Sequence, residues 1–449
     1  MEKNLTSGSV FKNILSFSLP YLLSYFLQTL YGMADLFIIG QFNGIDSTTA
    51  VSIGSQVMHM LTVMIVGLAM GSTVTIGRAV GAGERERASR SIGNTATLFM
   101  VVSVVITAVL LALVRPIVSV MSTPAEAVPG TVQYLTICFI GVPFITAYNI
   151  ISSIFRGLGD SKSPLCFVAV ACAVNIALDF LFIGWLHLGP AGAALGTTLS
   201  QTVSVIVALT VILKQKTGLK LSKRDFKPEK DAMGPILRIG IPVALQDGFV
   251  QIAFIVITVI ANRRGLADAA AVGIVEKVIG LLFLVPSSML STVSALSAQN
   301  IGAGRNDRAV LTLRYATLIA VGFGVIASIT VQFTSEFIVG LFTKDSDPQV
   351  IILGGQYLRS YIWDCVFAGV HFCFSGYFCA CGLSGISFLH NSVSIVCARI
   401  PIAYLASKYF TDTLFPMGVA APAGSLVSVM ICVIAFLWLN RRNAERHRS

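Results

Sequence analysis

Charged residues are scarce in this sequence. Asp, Glu, Lys and Arg together make up 12% of its 449 residues, whereas apolar residues make up 55%. Soluble domains average about 25% charged residues. This composition therefore excludes a water-soluble globular protein.

The motifs of soluble enzymes and metal proteins are missing as well. Cys379 and Cys381 do not share a helix face, and no His stands at a metal-ligand spacing from them. The loops GAGERERA (81–88) and GAGRNDRA (302–309) lack the Lys-Ser/Thr ending of a phosphate-binding loop, so we interpret them as cytoplasmic turns. We expect no enzyme activity, no metal centre and no cofactor. All nine cysteines fall in apolar stretches, and we interpret them as small, buried, apolar side chains.

Long apolar stretches are what the sequence does have. A transmembrane helix needs roughly 20 mostly apolar residues, and these stretches are too long for transmembrane strands. The first of them is not followed by a secretory cleavage site, so we expect it to be retained. The sequence therefore predicts an all-α, polytopic membrane protein with twelve spans. They cover roughly 14–40, 48–76, 92–114, 130–152, 164–186, 190–213, 236–261, 269–297, 311–333, 355–380, 384–408 and 417–439.

The distribution of Lys and Arg predicts the orientation, because positively charged short loops stay in the cytoplasm. With both termini inside, 23 of these residues fall in inside segments and six in outside segments. We expect a multi-pass protein of the bacterial plasma (inner) membrane with cytoplasmic termini. The net charge of +10 then faces the anionic inner leaflet of the lipid bilayer, and no nucleic-acid partner is needed to explain it.

The sequence also repeats itself. SLPYLL (18–23) matches GIPVAL (240–245), and GAGERERA matches GAGRNDRA, at an offset of 221 or 222 residues. We predict an N-terminal six-helix lobe (1–213), a cytoplasmic linker (214–234) and a C-terminal six-helix lobe (235–449). In transporters, parallel repeats enclose a substrate cavity with alternating access. A duplicated helical bundle without transport activity, a channel and a membrane enzyme are the alternatives.

Five acids lie inside the predicted spans: Asp35, Asp179, Asp247, Glu276 and Asp364. An ionised carboxylate at the bilayer centre costs at least about 2.5–3.5 kcal/mol. Each acid therefore needs water, a partner or a proton, and each is a functional candidate.

Two polar stripes concentrate these candidates in the first lobe. Gln28, Tyr31 and Asp35 share one helix face, and so do Asn175 and Asp179. Burial and like-charge repulsion favour a protonated carboxyl, and the same oxygens can also ligate sodium. We predict that Asp35, Asn175 and Asp179 couple transport to a cation. The alternative is that Asn175 and Asp179 only hydrogen-bond neighbouring helices.

The second lobe differs chemically. Asp247 and Gln251 share a helix face, and Lys277 and Arg399 are in-span cations that can pair with the acids. A structural ion-pair network is the alternative to a functional site here. Nine residues are predicted to line the substrate cavity: Gln28, Tyr31, Gln56, His59, Asp247, Gln251, Glu276, Asp364 and Arg399.

Prolines inside spans predict kinks, since proline removes a helical hydrogen bond. Pro20 and Pro242 occupy matching positions in the two halves, and Pro143, Pro286 and Pro401 lie within other spans.

Nearly the whole chain resembles the MATE (multidrug and toxic compound extrusion) family. The stretches that carry the resemblance are LPYLLSYFLQTLYGMADLFIIG, AVGAGERERA, FRGLGDSKSP, NIALDFLFI followed by GPAGAALGTTLSQ, AQNIGAG and RIPIAYL. The resemblance implies two six-helix bundles around a V-shaped cavity. It also implies export of organic cations or drugs in exchange for H+ or Na+, and we expect a monomer.

The resemblance extends to the predicted coupling residues. Asp35, Asn175 and Asp179 match the acidic cluster with which several bacterial members bind cations. The match favours the subgroup named after a DNA-damage-inducible bacterial protein. The second-lobe acids depart from the sodium-linked pattern of the family, and we expect H+ rather than Na+.

Two other transporter classes compete with this interpretation. A lipid-linked oligosaccharide flippase of the same superfamily would need a strongly cationic cavity, whereas most in-span charges here are acidic. A major facilitator transporter would carry an acidic-Arg-x-Gly-Arg-Arg pattern between its second and third spans, where this sequence reads GRAVGAGERERASR.

Overall fold

The computed structural model describes residues 4–214, 221–342 and 348–446. Within these ranges every regular element is helical and no strand occurs. The α-helices are α1 (Val10–Phe42), α2 (Ile45–Gly81), α3 (Arg85–Val120), α4 (Val128–Ile140), α5 (Val142–Gly157), α6 (Lys162–Asp179), α7 (Pro190–Lys214), α8 (Lys230–Asn262), α9 (Leu266–Leu282), α10 (Leu284–Gly302), α11 (Asn306–Gly340), α12 (Pro348–Tyr361), α13 (Asp364–Ala380), α14 (Ser384–Ser394), α15 (Ile400–Tyr409), α16 (Phe415–Gly418) and α17 (Ala420–Arg446). Two π-helical segments, Phe180–Trp185 and Ile395–Arg399, follow α6 and α14.

In the part of the chain that the structure describes, ten helical stretches are long and apolar enough to cross a membrane. Two further pairs, α4 with α5 and α12 with α13, pass only together, and they are bent by 50° and 41°. Counting each pair as one span gives twelve, so the predicted all-α fold class is confirmed.

The bend in span 130–152 agrees with the kink predicted at Pro143, whereas the sequence predicts no kink in span 355–380. The first bend coincides with Pro143, in the first turn of α5, as expected from the loss of a backbone donor. The second falls at Ile362 and Trp363, where no proline occurs. Other prolines leave the helix continuous. Pro20 lies inside α1 and Pro242 lies inside α8.

Several helices extend beyond their apolar cores. Helix α2 has 37 residues, which at 1.5 Å per residue is about 55 Å, longer than a bilayer core of about 30 Å. Its last turn carries Arg78. The polar ends are therefore helical although hydropathy alone places them outside the span.

The two repeated glycine loops form the same turn. Gly83 and Gly304 both adopt φ of 73°, the left-handed region in which a side chain is strained. Their N–H groups donate to the carbonyls of Val80 and Ile301, each at 3.0 Å. This geometry ends α2 and α10 as αL caps do, and it explains the glycine at both positions.

The same two helix ends touch through glycine. A Cβ atom added to Gly81 would lie 1.9 Å from the carbonyl oxygen of Gln299, and one added to Gly302 would lie 2.1 Å from that of Arg78. Residues 81 and 302, like 78 and 299, are 221 apart, so the contact is reciprocal between repeated positions. Close backbone approach of this kind is why small residues are favoured between membrane helices.

The chain divides into two compact units. The first contains Met1–Gly8, Leu15–Ala244 and Ala298–Arg305, and the second contains Ser9–Ile14, Leu245–Ser297 and Asn306–Ser449. The boundaries fall inside α1, inside α8 and near the end of α10. The core of the first unit includes Phe139 and that of the second includes Tyr357.

Part of the predicted linker 214–234 packs against α3 in the first unit. The Asn94 side chain donates to the Asp225 carbonyl at 3.0 Å and accepts from the Glu229 N–H at 2.8 Å. The Thr97 hydroxyl donates to the Phe226 carbonyl at 2.8 Å. Residues 221–229 are therefore fixed in place by side-chain hydrogen bonds, whereas 215–220 lie outside the described residues.

An arginine with a buried side chain connects α9 with the end of α15 in the second unit. Arg264 donates to backbone carbonyls of four residues between 407 and 413, at 2.9 to 3.2 Å. Its Nε atom lies 3.4 Å from the Asp268 carboxylate, an ion pair without regular hydrogen-bond geometry. One side chain thus satisfies carbonyls in the last turn of α15 and just after it, where intrahelical partners run out.

The cysteines agree with the sequence interpretation only in part. Six of them are buried, but Cys166 and Cys397 are exposed and Cys381 is half-buried. No disulfide forms among the described residues. Apolar helices in a membrane have an outward face, and a small side chain can occupy it as well as the interior.

Candidate functional site

Two carboxyl groups meet inside the first unit. Asp35 of α1 is 3% exposed, and Asp179, the last residue of α6, is 0% exposed. The Thr197 hydroxyl of α7 donates to Asp35 Oδ2 at 3.1 Å. Asp179 and Asn175 come close enough to the Asp35 carboxyl to interact with it. The residues predicted to couple a cation therefore lie together.

The oxygen atoms of this cluster are short of donors. Both Asp179 oxygens, Asp35 Oδ1 and both polar atoms of the Asn175 amide are buried without a hydrogen bond of regular geometry in the described part of the chain. Ionised carboxylates have acceptors only, so two of them cannot bond to each other. A proton or a small cation is the species that would join them.

Local backbone structure makes room for the cluster. A Cβ atom added to Gly196 of α7 would lie 2.2 Å from Asp179 Oδ1, so any larger residue there would displace the Asp179 carboxyl. The π-helical segment 180–185 begins directly after Asp179, and such segments are frequent at functional sites. Sequence reasoning did not single out Gly196 or Thr197. Their only signal is a small-residue run, GPAGAALGTT, whose packing partner the sequence does not reveal.

The other residues of the α1 stripe bond within the same unit. Gln28 Nε2 donates to the Tyr148 hydroxyl at 3.5 Å, and Gln201 Nε2 donates to the Tyr31 hydroxyl at 3.4 Å. Both contacts are long, but they tie α1 to α5 and α7 on the face that carries Asp35.

Gln56 and His59 of α2 stand apart from this cluster. Both side chains are exposed, and none of the contacts between described residues joins either to the acids. Ser55, by contrast, is bonded to Tyr134 at 3.1 Å. The face of α2 turned to the unit interior is therefore the one that carries Ser55.

A second polar cluster surrounds Arg399 in the second unit. Arg399 donates to the Tyr361 hydroxyl and lies 5.1 Å from the ring centroid of Phe254. Asp364 and Glu276 interact electrostatically with it, although neither is in direct ion-pair contact within the described residues. The guanidinium is thus held between aromatic rings and two acids.

The two acids have further polar neighbours. The Thr258 hydroxyl lies 3.4 Å from both oxygens of Glu276. Ser425 interacts with Asp364, whose two oxygens are buried without a hydrogen bond of regular geometry in the described residues. Lys277, expected to be buried and to pair with these acids, is exposed. That expectation is wrong: Glu276 is on the half-buried side of α9, and Lys277, about 100° farther around the helix, is on its exposed side.

Asp247 and Gln251 of α8 complete the predicted set. Both are half-buried. In the described ranges neither makes a hydrogen bond, and Asp247 forms no ion pair. The structure therefore brings the nine cavity candidates together only in part, into the α1 stripe, the Arg399 cluster and this isolated pair. No group of three or more His, Cys, Asp or Glu suited to a metal ion occurs among the described residues.

Comparison with known proteins identifies the family. A family model described as MatE matches residues 20–181 and 242–405, once in each half of the chain. The probable multidrug resistance proteins YoeA and YpnP of Bacillus subtilis are 26% and 27% identical, over 97% and 93% of this chain and 95% and 93% of their own lengths. The crystal structure of MATE in complex with MaL6 has a TM-score of 0.91 at 23% identity and covers 99% of both chains. With more than half of its length matched, this chain belongs to the MatE family of polytopic membrane transporters.

Proposed function

We propose that this chain is a secondary active antiporter that exports amphipathic, often cationic, small molecules in exchange for H+ or Na+. Similar proteins carry the names probable multidrug resistance protein and multidrug export protein, which supports drugs and related molecules as cargo. We place the antiporter in the bacterial plasma membrane as a monomer with cytoplasmic termini, the orientation that its Lys and Arg residues favour.

The facing pair Asp35 and Asp179 carries this proposal. Asp35 accepts one hydrogen bond from Thr197, and Asp179 accepts none of regular geometry among the described residues. Two such enclosed carboxylates repel each other when both are ionised, and removal from water makes both charges unfavourable. Capture of a cation relieves this, and its release restores the repulsion. Binding of the cation can therefore shift the equilibrium between two conformations of the protein. The size of the shift is set by the difference in the affinity of the two conformations for the cation.

The chemistry of the pair supports H+ over Na+ as the coupling ion. The carboxyls of Asp35 and Asp179 interact with each other. Two ionised carboxylates have acceptors only, and one shared proton supplies the donor that lets them form a strong hydrogen bond. Asn175 and Thr197 then serve as the polar surroundings of the shared proton.

The test is transport by the full chain reconstituted in lipid vesicles. Uptake of the fluorescent cation ethidium is measured under an imposed pH gradient and, separately, under an imposed Na+ gradient. We expect uptake with the pH gradient, and uptake with the Na+ gradient alone would replace H+ by Na+. No uptake under either gradient would contradict antiport.

Variants connect this activity to the site. Asp35→Asn and Asp179→Asn each keep the shape of the side chain but remove an ionisable group, and we expect both to abolish gradient-driven uptake. Asp46→Asn, an exposed acid in the first turn of α2, is the matched control and should transport normally. Full activity of either site variant would refute the coupling role.

A further inference from the structure

Residues 221–229, here called the linker segment, form a short folded structure on the surface of α3. Ser222 donates to the Asp225 carboxylate through its N–H group at 2.7 Å and through its hydroxyl at 2.9 Å, which closes a turn. A Cβ atom added to Gly93 of α3 would lie 2.3 Å from the Asp225 carbonyl oxygen, so the backbone of the segment lies directly on the helix. Together with the hydrogen bonds to α3 described above, these contacts give the linker segment a fixed position.

The linker segment crosses α3 where the surface of this helix changes from polar to apolar. The Phe226 carbonyl accepts its hydrogen bond from Thr97. Residues three, four and seven positions after Thr97 lie on the same helix face. They are Met100, Val101 and Val104, and they are 57% to 66% exposed. An exposed apolar stripe of this kind on a transmembrane helix marks contact with lipid. The stripe begins about 4.5 Å along the axis from Thr97, so the linker segment lies at the level where lipid begins.

The exposed side chains of the linker segment combine apolar and basic groups. Leu221 and Phe226 are each 42% exposed. Lys223, Arg224 and Lys227, here called the three linker cations, are exposed as well. Apolar side chains beside Lys and Arg are typical of protein segments that lie in the surface of a membrane. The apolar groups enter the boundary of the acyl chains there, and the charged ends reach the headgroups.

The two acids of the linker segment have other partners than the three linker cations. Asp225 accepts from Ser222 in the turn. Glu229 faces Arg90 of α3, with 3.9 Å between the carboxylate oxygen and the guanidinium nitrogen. Within the described ranges, none of the three linker cations forms an ion pair. Three positive charges at the edge of the lipid stripe are therefore available to an anionic partner.

We propose that the linker segment and the adjoining turn of α3 form a binding site for anionic phospholipid. The three linker cations pair with the phosphate headgroup, and Leu221 and Phe226 contact the acyl chains. This site goes beyond the proposed antiport and does not depend on it. Only its assignment to the inner leaflet rests on the proposed orientation.

The chemistry of the headgroup determines which lipids fit. Phosphatidylglycerol carries a net negative charge, whereas the choline of phosphatidylcholine cancels the charge of its phosphate. A basic residue near an anionic lipid surface strengthens the attraction by a factor of about five. Three of them give at most about a hundredfold, a factor that salt reduces. The site therefore selects phosphatidylglycerol over phosphatidylcholine. A soluble phosphate lacks the acyl chains that the apolar side chains require.

The experiment measures which lipid lies next to residue 226. Phe226→Trp places a fluorophore there in the full chain, which is reconstituted in vesicles of phosphatidylglycerol and phosphatidylcholine. Bromine atoms on the acyl chains of one lipid quench tryptophan fluorescence at short range. Exchanging which lipid is brominated gives the relative affinity of the two lipids for the site. The same measurement on the unsubstituted chain gives the contribution of its native tryptophans, which is subtracted. They are Trp185, Trp363 and Trp438.

In the Phe226→Trp protein we expect phosphatidylglycerol to be preferred about tenfold or more. Replacing all three linker cations by glutamine should reduce this preference to within about twofold. The matched control removes the same charge at three exposed positions elsewhere and should keep the preference. It carries Lys12→Gln, Arg115→Gln and Arg314→Gln.

Four results would overturn the assignment. They are quenching by neither lipid, no preference between the lipids, the same preference without the three linker cations, and the same loss in the control. Displacement of the lipid by excess inorganic phosphate at constant ionic strength would make a soluble phosphate the ligand, and would also overturn it. None of these measurements involves transport, so absence of gradient-driven uptake would refute the proposed function alone.

Discussion

Replacing Gly81 by alanine tests the reciprocal contact between the ends of α2 and α10. The added Cβ would lie 1.9 Å from the Gln299 carbonyl oxygen and 2.7 Å from its carbonyl carbon. Real Cβ atoms essentially never come within 3.0 Å of such neighbours, so the oxygen must move by about 1.1 Å. Both partners are backbone, and no flexible side chain can rotate out of the way.

The displacement reaches beyond one contact. Gln299 Nε2 donates to the Gly157 carbonyl at 3.1 Å, and Gln299 Oε1 accepts from the Leu5 N–H at 3.2 Å. Overpacking costs about 1–3 kcal/mol in a well-packed interior. We expect the upper part of that range, because moving Gln299 also strains two buried hydrogen bonds.

Thermal unfolding of the purified protein in detergent, followed by loss of the monodisperse elution peak, measures the effect. Gly81→Ala and Gly302→Ala should both lower the midpoint temperature, since each adds a Cβ to the same reciprocal contact. Gly322→Ala is the control, because nothing lies within 4 Å of its added Cβ. A Gly81→Ala protein as stable as the Gly322→Ala protein would refute the reasoning.

Two other substitutions follow from contacts described above. Gly196→Ala should abolish proton-driven uptake, because its Cβ would lie 2.2 Å from Asp179 Oδ1. The control Gly273→Ala, which has open space around its added Cβ, should transport normally. Equal transport rates of the two variants would disprove the steric conflict at Asp179. Arg264→Ala should lower the free energy of unfolding by about 3 kcal/mol, the lower end of the range for a buried pair, since it leaves the half-buried Asp268 and four carbonyls without their partner. Arg87→Ala, in an exposed pair, should change it by under about 1 kcal/mol. Similar midpoints in denaturant for the two arginine variants would contradict this account.

The helices could be predicted because each span has to be apolar over the thickness of a bilayer. The ends of the helices could not be predicted, because a helix can continue into polar sequence beyond its apolar span. Helix α2 extends from Ile45 to Gly81, past the predicted 48–76, since its polar end is stabilised by packing and by the Gly83 turn. The bend at Ile362 and Trp363 could not be predicted either, because no proline occurs there. Tertiary contacts, which composition does not specify, then decide where the helix bends.

The acids of the first unit could be singled out because carboxylates are rare and unfavourable in a membrane. Helical spacing also placed Asn175 beside Asp179 on one face. The remaining parts of the cluster, Thr197 and Gly196, depend on which helix packs against α6, and one sequence does not specify that. In the second unit, spacing alone did not separate half-buried Glu276 from exposed Lys277.

The two halves carry opposite charges at the π-helical segment of their fifth spans. Such a segment ends the fifth span of the first half and lies within the fifth span of the second. In the first it begins after Asp179, and in the second it ends at Arg399. Glu276 and Asp364 of the second unit thus have a resident cation, whereas the enclosed pair Asp35 and Asp179 has none among the described residues. If the coupling ion serves to neutralise this pair, exchange of the coupling ion should survive Arg399→Lys but not Asp179→Asn.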